Sequence, residues 1–167
     1  MKTLQQTDID AFKTHLRGEV LLPGSPTYDE TRQIWNAMID RRPALIARCR
    51  SPEDVVQAVT FARTHNLLVS IRGGGHNIAG NAVCDDGLMI DLSLMKNVQV
   101  DPGARQASVE PGCTLADFDK AAQAHGLATP LGINSTTGVA GLTLGGGFGW
   151  LSRKYGMTVD NLLGADV

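Results

Sequence analysis

Residues 8–16 place Ile9, Phe12 and Leu16 at helical spacing among polar neighbours, which predicts an opening helix. Pro23-Gly24-Ser25-Pro26 breaks it, and a second helical stretch is expected over residues 28–38. Residues 44–49 form a short, mostly apolar run that reads as a strand. Ser51-Pro52-Glu53-Asp54 then opens a helix. Serine caps it, proline takes the first helical position, and the acids face the positive end of the helix dipole. Val55, Val56, Val59, Phe61 and Ala62 give this helix an apolar face, and His65-Asn66 ends it. Residues 67–71 read as a buried apolar strand. The strand–helix–strand order implies a parallel pair joined by a right-handed crossover.

Further along, residues 88–92 predict another strand. Residues 98–101 and 106–110 flank the turn Asp101-Pro102-Gly103-Ala104, the pattern of a hairpin. Thr114-Leu115-Ala116-Asp117 is a capping box that starts a helix running to about His125, with Gly126 as its C-cap. Residues 129–149 read as loop apart from one helical turn near 138–142. The fold class is α+β, with mixed sheets and helices packed on them. Residues 1–40 are a helical lead-in, with a mobile arm as the alternative. Residues 41–167 form the main domain.

Composition narrows the functional classes. With 15 basic and 17 acidic residues there is no basic stripe, so nucleic acid is not an expected partner. No apolar run is long enough to span a bilayer, and the first residues lack a signal peptide's hydrophobic core. Cys49, Cys84 and Cys113 cannot pair fully, and their spacing suggests no metal site. A cytoplasmic location is the expectation. The 19 glycines concentrate between Gly73 and Gly149, where backbone is expected to approach a ligand closely.

Two constellations carry chemistry. Ser70-Ile71-Arg72-Gly73-Gly74-Gly75-His76-Asn77 follows a strand, and its glycine N–H groups can gather around an anion such as a phosphate. A plain flexible turn is the competing reading. The second is Gly138-Val139-Ala140-Gly141-Leu142-Thr143-Leu144-Gly145-Gly146-Gly147-Phe148-Gly149, a helical turn after the polar run Asn134-Ser135-Thr136-Thr137. Its N-terminus suits a pyrophosphate, although a tight packing crossover would look the same. The NTPase phosphate loop, the Rossmann fingerprint and the hydrolase nucleophile elbow are all absent. His15, His65 and His125 read as helix surface.

Taken in order, these motifs resemble a known family. Residues 72–77, Gly80, Asp91-Leu92-Ser93-Leu94-Met95, residues 138–149, Lys154-Tyr155-Gly156 and Asp160-Asn161 look like the FAD-linked oxidases of the vanillyl-alcohol oxidase superfamily. Within it they resemble the berberine-bridge-enzyme-like and 6-hydroxy-D-nicotine oxidase-like group. The resemblance runs from about Arg41 to Val167 and implies a PCMH-type FAD-binding fold of two mixed-sheet subdomains.

It also implies FAD as cofactor. The expected contacts are Arg72, Gly73, Gly74, Gly75, His76, Asn77 and Gly80. A second set is Leu131, Gly132, Thr137, Gly138, Gly141, Leu142, Gly145, Gly146, Gly147 and Gly149. The family's histidine matching His76 bonds covalently to the 8α-methyl of the isoalloxazine. The cysteine that supplies a second bond in many relatives falls at Asn134, which cannot form a thioether, so a single link through His76 is expected. Cys84 and Cys113 are expected to be buried bystanders. In the family a substrate-binding domain follows, so this chain is expected to be an N-terminal portion without the substrate domain or an assignable catalytic base. The implied activity is oxidation of a small alcohol, amine or sugar C–H by hydride transfer to FAD, with oxygen as acceptor. The alternative is an FAD- or nucleotide-binding module without turnover of its own.

Overall fold

The computed structural model describes residues 4–166. They form two compact units that divide between Met95 and Lys96.

The first unit is built on a four-stranded sheet in the order β1 (Glu19–Leu21), β2 (Leu45–Arg48), β4 (Leu88–Asp91), β3 (Val69–Arg72). β1 runs antiparallel to β2, whereas β2 and β3 both run parallel to β4. Helices α1 (Gln6–His15) and α3 (Pro52–His65) cover one face. There Phe12 and Phe61 stack with ring centroids 4.3 Å apart, over Leu45, Ala47, Leu88 and Ile90. On the other face Leu21, Tyr28, Ile34, Ile46, Val83 and Met89 form a second cluster. The two central strands are covered on both faces, which explains why their sequences are continuous apolar runs rather than alternating ones. Each fully buried Leu or Ile contributes roughly 1.5–3 kcal/mol.

The ends of α3 follow the sequence signals. The Ser51 hydroxyl accepts a hydrogen bond from the Asp54 amide, and Asn66 closes the helix at φ 52°. Asp54 does more than load the first turn. Its buried carboxylate accepts from the backbone amides of Arg17 (2.8 Å), Gly18 (3.1 Å) and Arg50 (2.9 Å), which fastens the β1 approach to α3.

Three expectations for this unit are corrected. The lead-in is not purely helical, because residues 19–21 supply strand β1. The helix expected over residues 28–38 is only α2 (Tyr28–Thr31), because the backbone beyond it is committed to tertiary partners described below. The run 67–71 is not a buried strand. β3 lies at the sheet edge with Val69 and Ile71 exposed and Ser70 buried, and β4 separates it from β2.

The second unit holds the hairpin β5 (Val98–Asp101) and β6 (Gln106–Val109), with its turn held by the Asp101 carboxylate accepting from the Ala104 amide. Among the described residues this sheet has two antiparallel strands. α4 (Leu115–Gln123) begins at a full capping box between Thr114 and Asp117. It ends two residues before His125, and Gly126 adopts φ +66° just beyond. Leu115, Phe118, Ala122 and Leu131 form the core with Val98, Val109, Leu127, Val139 and Leu142. Short helices α5 (Val139–Leu144) and α6 (Ser152–Tyr155) complete the unit. No helix among the described residues is long and apolar enough to cross a membrane.

Candidate cofactor site

In the first unit, three parallel strands end in register on charged residues: Arg48 on β2, Asp91 on β4 and Arg72 on β3. The Asp91 side chain is fully buried. Its carboxylate accepts from the Arg48 Nε at 3.3 Å and the Ser93 hydroxyl at 2.8 Å, and pairs with Arg72 at 3.8 Å. A carboxylate withdrawn from water needs such partners. This row fixes the point at which β3 gives way to the glycine loop.

The loop has a definite shape. Gly75 and Gly80 adopt φ +71° and +79°, a region costly for any residue with a Cβ. A Cβ on Gly80 would also come within 2.8 Å of the Ile39 side chain. The segment 31–41 lies along the loop and takes up its polar groups. The Trp35 amide donates to the Gly75 carbonyl at 3.0 Å, and the Asn36 side chain donates to the Ile78 carbonyl at 2.9 Å. The Arg41 guanidinium donates to the carbonyls of Gly80 (3.0 Å) and Val83 (3.1 Å). Arg72 reaches back to the Thr31 carbonyl. A continued helix would pair the Trp35 amide with the Thr31 carbonyl, and both are taken, by Gly75 and by Arg72, so α2 ends early.

His76 is half-buried at the end of the loop, and its ring stacks on Trp35 with centroids 5.3 Å apart and planes 23° from parallel. Burial holds its imidazole below the ordinary value of 6.5 and so favours the neutral ring. Asn77 is exposed, and its side-chain oxygen accepts from the Asn81 amide at 3.0 Å. The Arg72 Nε is buried without a hydrogen-bond partner beside the Gly75 turn.

In the second unit the sequence-predicted residues gather around tight backbone contacts. A Cβ on Gly149 would lie 1.7 Å from the Leu131 carbonyl oxygen, and one on Gly132 would lie 2.7 Å from the Leu142 side chain. Gly146 and Gly147 adopt φ +97° and +69°. Gly138 forms a bridge with Thr114, and the Thr137 carbonyl accepts from the Leu115 amide. The Val139 amide, first in α5, already donates to the Cys113 carbonyl and is not free for a ligand. Gly141 faces open space, and Gly145 ends α5. These glycines therefore do two jobs. Gly132, Gly147 and Gly149 allow close packing, whereas Gly141 leaves an open face. A groove of about 1290 Å³ in this unit is bounded by the hairpin, α4 and residues 162–164, and of the predicted contacts it includes Leu131 alone.

A cationic row behind a loop of fixed positive-φ glycines, with a buried unpaired guanidinium N–H, suits an anionic dinucleotide. Among the described residues there is no group of three acidic, His or Cys side chains able to hold a metal. Trp35, Arg41 and Arg48 were not singled out from sequence, and Asp91 entered only as part of the motif at residues 91–95. Only the scarcity of aromatics, with two tryptophans in the chain, sets Trp35 apart.

The architecture is that of a PCMH-type FAD-binding fold. The crystal structure of 6-hydroxy-D-nicotine oxidase from Arthrobacter nicotinovorans superposes with a TM-score of 0.85 at 39% identity, covering 87% of this chain and 32% of that one. BBE-like 1 of Physcomitrella patens gives 0.88 at 28% identity, covering 93% of this chain and 34% of that one. In sequence, (R)-6-hydroxynicotine oxidase of Paenarthrobacter nicotinovorans is 40% identical over 150 residues, which are 90% of this chain and 33% of the relative. The family described as FAD binding domain matches residues 43–167, and the chain belongs to it. It spans about a third of the length of the curated relatives it matches.

Proposed function

We propose that the chain is the FAD-holding part of a flavin-dependent oxidoreductase and that His76 is its single point of covalent attachment. The observation that carries this reading is the loop at residues 72–77. It is a glycine turn with Gly75 at positive φ that ends in a half-buried imidazole, and it sits in a chain of the FAD binding domain family. Each unit supplies its own candidate contacts. In the first they are Arg72, Gly73, Gly74, Gly75, His76, Asn77 and Gly80. In the second they are Leu131, Gly132, Thr137, Gly138, Gly141, Leu142, Gly145, Gly146, Gly147 and Gly149.

FAD supplies the redox chemistry when bound, accepting a hydride from a substrate C–H; the protein binds, orients and tunes. His76 would hold the flavin by a bond from one imidazole nitrogen to the 8α carbon; the N–H hydrogen and one methyl hydrogen would be lost, and dioxygen, reduced to hydrogen peroxide, would take them up with their two electrons. Asn134 accepts hydrogen bonds from the Thr136 amide and hydroxyl and has no sulfur to form a second link.

The intact protein oxidises a small alcohol, amine or sugar with oxygen as acceptor. The similarity to a 6-hydroxynicotine oxidase supports the amine and the oxygen. The three free, buried cysteines support a reducing, cytoplasmic setting. A second reading rests on the chain spanning a third of its relatives: by itself it holds the cofactor without turning over substrate.

Acid precipitation of the purified intact protein tests the attachment. Yellow flavin should stay in the pellet, and His76→Ala should release it to the supernatant. Flavin released completely from the unmutated protein would defeat the covalent assignment.

A further inference from the structure

The sequence gives no reason to place Trp35 beside His76, yet two independent contacts tie them. The Trp35 amide donates to the carbonyl of Gly75, the residue before His76, at 3.0 Å. The indole then lies against the imidazole at 5.3 Å and 23°. A large aromatic held at 59% exposure by its own backbone bond is not there to fill the core. Its neighbours in the same segment, Asn36 and Arg41, hold the next carbonyls of the loop, so residues 31–41 fix the loop backbone on both sides of His76.

We infer that Trp35 is a positioning residue for cofactor attachment: its flat ring holds the plane of the His76 imidazole before the flavin is attached. This rests on the proposed attachment at His76. The physical reason is rotational. The χ2 torsion of an imidazole is broad, and stacking on the Trp35 ring narrows it before the cofactor arrives. Orientation gained in advance appears in the attachment rate rather than in the affinity for flavin.

The test uses the intact protein, produced without flavin and then given FAD. Acid-stable flavin is followed over time and total bound flavin is measured alongside. Trp35→Leu keeps apolar cover without a flat ring, and Trp35→Phe keeps a ring. Trp35→Leu should bind as much flavin as the unmutated protein while forming the acid-stable fraction more slowly, by roughly tenfold or more. Trp35→Phe should restore most of the rate. Attachment by Trp35→Leu at the unmutated rate overturns the inference, as does Trp35→Phe behaving like Trp35→Leu. If the unmutated protein forms no acid-stable flavin, the attachment reading itself has failed and the inference goes with it. If the unmutated protein attaches flavin, His76→Ala does not, and Trp35→Leu is normal, only the inference has failed.

Discussion

Asp91 and Arg72 end neighbouring parallel strands in the same register, and the guanidinium Nη1 lies 3.8 Å from the carboxylate Oδ1. With Arg48 on the opposite side, a single buried negative charge sits between two positive ones at the root of the glycine loop. Removing it leaves two cations facing each other across β4. The two arginine side chains keep 22% and 21% of their surface exposed, so solvent softens that repulsion. Asp91→Asn should therefore cost about 2–4 kcal/mol, slightly less than the removal of one partner from a fully buried pair. Denaturant midpoints of the intact protein measure it. An unchanged midpoint would mean that the row is not what holds β3 to β4 at this end.

Gly149 has no room for a methyl group. The Leu131 carbonyl oxygen would lie 1.7 Å from its Cβ, and a backbone group cannot swing aside as a flexible side chain can. Gly149→Ala should destabilise the protein by about 1–3 kcal/mol or displace the 131–132 backbone, the usual result of overfilling a packed site. Gly164→Ala is the control, because nothing lies within 4 Å of its Cβ. Thermal melting of the two variants should separate them clearly. Equal melting temperatures would show that the 149 contact is loose.

Most of this architecture could be read along the chain, and the exceptions share a cause. Ser51 and Thr114 cap the helices they were expected to cap, because a cap is a contact within four residues and is written locally. The hairpin at residues 98–109 was legible for the same reason. β3 was misjudged because Leu67, Leu68, Val69 and Ile71 have the composition of an interior strand. Its place at the edge is decided by β4, contributed by residues about twenty positions later. The strap at residues 31–41 was hidden likewise. Trp35 to Gly75 and Arg41 to Gly80 are pairings across about forty residues, and no local signal encodes them. The glycine loop was visible as a motif, but the residues that shape it were not.

The cysteines provide a chemical check on the core. Burial pushes the Cys49 thiol up to about 12 and the Cys113 thiol up to about 11, so almost none of either is thiolate near neutral pH. The thiolate is the reactive form, and both side chains are also sheltered from solvent. In the native intact protein neither should react with a disulfide reagent on the time scale of an exposed cysteine, and both should react promptly once the chain is unfolded. Mass mapping of the labelled residues tests this. Rapid native labelling at Cys49 would place it outside the core formed by Phe12, Leu45 and Phe61.

Asp117 sets an acid limit for the second unit. Its carboxylate accepts from both the amide and the hydroxyl of Thr114 at 2.8 Å, and Lys96 lies 3.5 Å away. The backbone hydrogen bond from Thr114 is the main reason its pKa falls below the ordinary 3.8. A carboxyl group with a lowered folded pKa binds fewer protons folded than unfolded, so it stabilises the fold fully at pH above 3.8. That contribution is lost as pH falls below 3.8 and through the folded value. Asp117→Ala should thus cost about 1 kcal/mol at neutral pH, the usual worth of a helix cap. The gap between variant and unmutated protein should close as the solution is acidified below 3.8. Denaturant titrations of both proteins at a series of pH values provide the measurement. A gap that stayed constant into strong acid would show that the aspartate acts through packing and not through its charge.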